Sequence, residues 1–249
     1  MINFIRTLSR IDKTLSQYYH FVNKIMKGRS LVMTNTLDVL KQEKIVVICR
    51  GIPSEKILDL AQALYQGGIR CIEVTFDQSS QEGIDNTTRC IQLLSQADTG
   101  LYVGAGTVMN KEQVRLAKAA GAKYILSPNV DEEVIQETKG LGMVSIPGAF
   151  TPTEVALAYR YGADIVKVFP VGQLGAAYIK ALRGPLGHIP LLAVGGVGPA
   201  NCEEYMKAGC VGIGVGGNLV SRTLVEEGRF DEVAAAARDY MEILHPNKT

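Results

Sequence analysis

From Lys44 onward the chain alternates short apolar runs with amphipathic stretches, and this regularity limits its fold more than any other feature. The runs at 45–49, 71–75, 101–105, 124–126, 143–146, 165–168, 191–194 and 211–215 are short and apolar, as strands covered on both faces require. Between them lie helical patterns, among them 55–65, 112–119, 199–207 and 230–241. The strand starts recur at roughly twenty-residue spacing, which suits minimal β–α units. A weak internal repeat reinforces the pattern, because Gln66-Gly67-Gly68, Ala120-Gly121, Tyr161-Gly162 and Ala208-Gly209 each end a helix just before a strand. Glycine there stops a helix in the left-handed conformation. Eight such units without a domain-breaking linker predict an α/β fold, a single (β/α)8 barrel, and 249 residues with 47% hydrophobic content suffice for its core. A doubly wound sheet is the alternative, since alternation alone does not require closure.

The first 32 residues read differently. Phe4, Leu8, Ile11, Leu15, Tyr18, Val22 and Ile25 follow helical spacing, and Arg6, Arg10, Lys13, Lys24, Lys27 and Arg29 face only Asp12. Such a basic amphipathic start imitates a transit peptide or a membrane-surface helix. The favoured expectation is an appended N-terminal helical extension with a working start at Met26 or Met33, leaving the barrel to residues 33–249. A formal charge of +1 makes no global case for nucleic acid or an anionic membrane as partner. No apolar run approaches the roughly 20 residues of a spanning helix. Cys49, Cys71, Cys90, Cys202 and Cys210 are odd in number and contain no C-x-x-C, which suits a cytoplasmic protein with no disulfide framework. His20, His188 and His245 are scattered, so neither a metal site nor a Ser-His-Asp triad is expected.

Lys167 is the anomaly within this pattern. It interrupts the apolar strand Ile165-Val166-Lys167-Val168, which Phe169-Pro170 then ends. An ammonium there must pair, reach solvent or lose its proton. A neutral lysine amine is a nucleophile toward carbonyls, and the carboxyl ends of strands are where α/β folds build sites. The alternative is a structural ion pair. Glu73 is a second charge inside a strand, and Arg50 ends the first. With a side-chain period of two, Lys167 shares a face with Ile165 and Phe169, and Glu73 with Cys71 and Thr75. If both faces turn inward, an amine, a carboxylate and a guanidinium meet at one mouth.

The last two strands end in Gly195-Gly196 and Gly216-Gly217. Loops after strands seven and eight commonly receive phosphate through backbone N–H groups, and a helix start is expected at Gly198-Pro199. Gly104-Ala105-Gly106 has the look of a dinucleotide fingerprint but lacks its third glycine and ribose acid, which argues against NAD.

In order, Ile-Cys-Arg-Gly at 48–51, Ile-Glu-Val-Thr at 72–75, Gly-Ala-Gly-Thr-Val at 104–108, Ser-Pro-Asn at 127–129, Pro-Gly-Ala-Phe-Thr-Pro-Thr-Glu at 147–154, Val-Lys-Val-Phe-Pro at 166–170 and Gly-Gly at 195–196 resemble the KDPG/KHG aldolase family. The resemblance runs from about Thr36 to the end and implies a metal-independent class I lyase. Its substrate would be a 2-keto-4-hydroxy acid, 2-keto-3-deoxy-6-phosphogluconate or 4-hydroxy-2-oxoglutarate. It implies Lys167 as the Schiff-base lysine, with no cofactor beyond the imine, and Glu73 as general acid/base. Arg50 and Thr107 would hold the substrate carboxylate, Pro128 and Phe169 would line the pocket, and Gly195, Gly196, Gly217 and Asn218 would receive phosphate. It also implies a homotrimer.

The chain departs from the family pattern in three places. Val194 stands where KDPG aldolases often carry Thr, and Ala-Val-Gly-Gly looks like the 2-keto-3-deoxy-6-phosphogalactonate aldolases instead. Asn218 replaces a frequent Ser, and Phe76-Asp77 follows the glutamate where an Arg is often found. Two other classes stay open on residue chemistry: a sugar-phosphate epimerase, for which the strand ends lack histidine, and a non-catalytic phosphate-binding barrel.

Overall fold

The computed structural model describes residues 35–246. The expected extension at 1–32, with its alternative starts at Met26 and Met33, lies outside the described residues. Nine strand segments are found among those described: β1 (Ile45–Arg50), β2 (Cys71–Thr75), β3 (Tyr102–Gly106), β4 (Tyr124–Leu126), β5 (Val144–Ile146), β6 (Gly148–Ala149), β7 (Val166–Val168), β8 (Leu191–Val194) and β9 (Gly212–Val215). Their order is β5-β4-β3-β2-β1-β9-β8-β7-β6, and every pairing is parallel.

β5 falls within the expected run at 143–146, and β6 takes the same strand on past its expected end after a break at Pro147. Pro147 lies between them and has no N–H to give to a ladder. The upstream half pairs with β4 and the downstream half with β7. Lys167 N–H donates to Pro147 O at 2.9 Å across the same seam. The broken strand therefore joins the two ends of the sheet, and the fold is an α/β barrel of the TIM type, not an open sheet.

Apolar residues fall into two layers, as a closed sheet demands. Val47, Val74, Ala105 and Ala193 point outward and pack under helices through residues such as Leu60 and Val233. Val46, Cys71, Tyr124, Ile165, Leu192 and Val194 point into the barrel. This alternation follows the strand period of two. It sets Glu73, two residues past Cys71, and Lys167, two past Ile165, on the interior face.

A helix that the periodicity did not signal closes the lower end. Thr36–Glu43 is capped by Asn35, whose side chain accepts from Leu37 N–H at 3.2 Å. Its Val39 and Leu40 join the interior layer together with Leu37. Lys44, at φ 61°, ends the helix in the left-handed region and feeds β1. Lys44 Nζ donates to Leu244 O at 3.1 Å, which ties this helix to the end of the last one, Phe230–Leu244.

Four helices end on left-handed glycines at 68, 121, 162 and 209, as the repeat predicted. The helix expected over 199–207 is shorter, Cys202–Lys207. Ahead of it Gly198 O accepts from Asn201 and Cys202 N–H, while Asn201 Oδ1 takes Gly198 N–H at 2.8 Å. That turn occupies the residues that would have formed the first helical turn. No helix among the described residues is long and apolar enough to cross a membrane.

Candidate active site

β2 and β7 stand four places apart around the ring in either direction, once the two halves of the broken strand count as one. Glu73 and Lys167 therefore reach toward each other from opposite walls. Both are almost fully enclosed, at 3% and 7% exposure. Thr75 Oγ1 donates to Glu73 Oε1 at 3.2 Å, and Glu73 Oε2 has no hydrogen-bond partner. A buried carboxylate oxygen without a partner is costly unless a ligand or water completes it.

Space for the carboxylate comes from β3. A Cβ placed on Gly106 would lie 1.6 Å from Glu73 Oε1, and one on Gly104 would lie 2.2 Å from the Tyr124 ring. The Gly-Ala-Gly segment thus exists so that a glutamate and a tyrosine can occupy the barrel centre. Tyr124 hydroxyl donates to Ile72 O and forms the floor beneath Glu73.

Burial acts on both charges in the direction of neutrality. It lowers the Lys167 pKa, the Glu73 carboxylate opposes that shift, and the Arg50 charge adds to it. It raises the Glu73 pKa, against which Lys167, the Thr75 hydrogen bond and Arg50 work in that order. The outcome is an amine with accessible neutral form beside an acid with accessible protonated form. Lys167 Nζ lies 5.1 Å from the centre of the Phe169 ring, and Gly195 lets that ring lie close over β8's end, where a Cβ would be 3.0 Å from it.

Arg50 is exposed at the end of β1, with Nη2 3.4 Å from Thr107 Oγ1. Thr107 holds φ 52°, a left-handed conformation that costs a β-branched residue about 1–3 kcal/mol. Its carbonyl accepts from Gln78 Nε2 at 2.7 Å. Asp77 lies beside this mouth; hydrogen bonds from Ser79 hold its carboxyl below the usual range, with a smaller contribution from Arg50. Pro128 is half-buried after β4, and its carbonyl presses on Gly148, where a Cβ would be 2.3 Å away.

The glycine loops meet on the far side. Gly195 and Gly196 take φ 87° and 80°. Asn218 Nδ2 donates to Val197 O at 3.0 Å, so the two loops are joined. Asn201 Nδ2 donates to Gly196 O at 3.0 Å. Among the described residues the N–H groups of Gly196, Gly217 and Asn218 donate to nothing, which leaves them available to an anion.

Lys167, Glu73, Arg50, Thr107 and Phe169 are thus gathered at one end of the barrel, at or just beyond the carboxyl ends of its strands. Nothing in the sequence singled out three supporting residues, Gln78, Gln113 and Asn201, and it gave Thr75 only as a neighbour on the face of Glu73. Asn110-x-x-Gln113 carried a helix-start signature, and Asn110 Oδ1 does accept from Gln113 N–H at 2.9 Å. Nothing local to Gln78 or Asn201 distinguishes them from other loop amides. Among the described residues no three His, Cys, Asp or Glu side chains gather as a metal-holding group.

Residues 37–236 match the family model described as KDPG and KHG aldolase. The 2-dehydro-3-deoxy-6-phosphogalactonate aldolase of Escherichia coli K12 is 34% identical over 201 residues, covering 80% of this chain and 95% of the relative. The 2-dehydro-3-deoxy-phosphogluconate aldolase of Treponema pallidum is 31% identical over 214 residues, covering 85% and 99%. Among solved structures, a KDPG aldolase from Legionella pneumophila, with pyruvate captured as a covalent carbinolamine intermediate, superposes with a TM-score of 0.74. It is 25% identical, and the match covers 82% of this chain and 97% of that one.

Proposed function

The chain belongs to the KDPG and KHG aldolase family and is a lyase of the aldolase type, and we propose that it cleaves 2-keto-3-deoxy-6-phosphogluconate to pyruvate and glyceraldehyde 3-phosphate through an imine on Lys167. The observation that carries this reading is the enclosed amine and carboxylate facing each other from opposite walls, each moved toward its neutral form.

The chemistry follows from those groups. Neutral Lys167 Nζ attacks the C2 ketone, and protonated Glu73 gives its proton to the departing hydroxyl of the carbinolamine, so that water leaves and a protonated imine forms beside a Glu73 carboxylate. Glu73, acting through a water at its open Oε2, takes the C4 hydroxyl proton as the C3–C4 bond breaks. The bond's electrons enter the imine and leave an enamine while the aldehyde departs. Glu73 returns a proton to C3, and hydrolysis releases pyruvate. The imine is the electron sink, so the mechanism requires no metal or organic cofactor. Arg50, with Thr107, holds the keto-acid carboxylate, for which a planar guanidinium offers two parallel donors. Pro128 and Phe169 flank the reacting carbons. Gly195, Gly196, Gly217 and Asn218 receive the distal phosphate, a reading that the free N–H groups support.

The galactonate epimer is the second reading, favoured by Val194 before the glycine pair and by the 34% identical galactonate-acid relative. 4-Hydroxy-2-oxoglutarate, lacking phosphate, is a further substrate. The functional form is a homotrimer, for which exposed Phe150 and Leu174 supply apolar surface, and five buried free thiols suit a cytoplasmic setting.

Borohydride reduction with pyruvate is expected to leave a stable adduct on Lys167, absent in Lys167→Ala. Pyruvate release measured on the two phosphorylated epimers and on 4-hydroxy-2-oxoglutarate then ranks the substrates. An adduct that persists without Lys167 would overturn the mechanism.

A further inference from the structure

Thr107 is held in its strained conformation by a device that lies outside the reacting groups. Gln113 is buried, at 4% exposure, in the first turn of the helix Lys111–Ala120. Its Oε1 accepts from Met109 N–H at 2.8 Å, and its Nε2 donates to Gln78 Oε1 at 2.7 Å. Gln78 Nε2 donates back to Gln113 Oε1 at 3.3 Å and forward to Thr107 O at 2.7 Å. The two amides form a closed pair that grips the backbone on both sides of Val108. One amide comes from the loop after β2 and the other from the helix after β3, so the grip spans two units of the barrel.

We propose that Gln78 and Gln113 are positioning residues that hold Thr107 in the left-handed conformation, aiming its hydroxyl at Arg50 and completing the carboxylate receptor. The argument rests on geometry. A threonine released from this grip relaxes to an ordinary φ, because the left-handed region crowds its branched Cβ. Relaxation rotates Oγ1 away from Arg50 Nη2, and the receptor loses one donor and the orientation of the other. Gln78 is exposed and sits in a loop, so replacing it removes the grip without opening the core. The proposal rests on the assignment of Thr107 and Arg50 to the substrate carboxylate.

The test compares pyruvate with pyruvamide, which keeps the ketone but has no carboxylate charge, in cyanoborohydride trapping on Lys167 followed by intact mass. Full-length Gln78→Met is expected to raise the half-saturating pyruvate concentration about tenfold, the scale of a hydrogen bond to a charged group, and to change pyruvamide trapping less than twofold. Gln78→Asn, which keeps an amide on a shorter arm, is expected to fall between the two. Equal losses for both ketones, or no loss for either, overturns the brace. Thr107→Val is run alongside. If it leaves the preference for pyruvate intact, the carboxylate assignment itself fails; if it abolishes the preference while Gln78→Met does not, the brace alone fails.

Discussion

Lys167 and Glu73 share a space from which water is largely excluded, so each sets the protonation of the other. The Glu73 charge raises the Lys167 pKa, and the Arg50 charge lowers it. Only the neutral amine attacks a ketone, so the pH midpoint of pyruvate trapping reports that pKa directly. Glu73→Gln removes the carboxylate that favours the ammonium, and the midpoint is expected to move to lower pH. Arg50→Gln removes a repelling cation, and the midpoint is expected to move to higher pH. The opposite signs separate charge from loss of packing, which would shift both variants alike. Glu73→Gln is also expected to lower turnover about a hundredfold, the contribution of a positioned acid/base group, while trapping at saturating pyruvate persists. Lys167 and Glu73 were legible as charges within apolar strands. Thr75 was legible only as a neighbour on the same face, because its hydrogen bond to Glu73 depends on two side-chain rotamers.

At the scale of elements, β3 serves the site by what it lacks. Its two inward glycines leave the volume that Glu73 and Tyr124 fill from β2 and β4. Gly106→Ala places a methyl on the Glu73 carboxylate, and misplacement of a catalytic group by about 1 Å costs about a hundredfold in rate. The expected outcome is that loss in kcat with the barrel's circular dichroism unchanged. Full activity in this variant would show that Glu73 has room to move. In the sequence this Gly-Ala-Gly segment has the look of an incomplete dinucleotide fingerprint, and nothing local to it says what the glycines make room for. Strand periodicity says which face a glycine occupies; which side chain crosses the barrel to use the space depends on strands that are distant in sequence. The fifth strand gives the same lesson, since Pro147 was visible in the sequence but its role at the seam appeared only with both partners in place.

For the whole molecule, closure is what concentrates charge at one mouth, and the short helix Thr36–Glu43 seals the other end. Leu40 joins the interior layer of the barrel. Leu40→Ala is expected to cost about 2–5 kcal/mol in urea unfolding, as for other buried leucines. A loss below about 0.5 kcal/mol, the range of surface substitutions, would mean that the helix is not part of the core. Sequence alone determined the eight β–α units, the charged residues that break an apolar pattern, and the strand limits to within a residue or two, except that the fifth strand resumes past its expected end at Gly148–Ala149. These are local properties, written in periods of two and 3.6 and in the chemistry of single side chains. Tertiary structure decided that the sheet closes across a broken strand, that a helix plugs it, and that Glu73 and Lys167 oppose each other. It also decided that two ordinary glutamines brace a strained threonine. Those facts depend on distances between residues far apart in the chain, which hydrophobic periodicity does not encode.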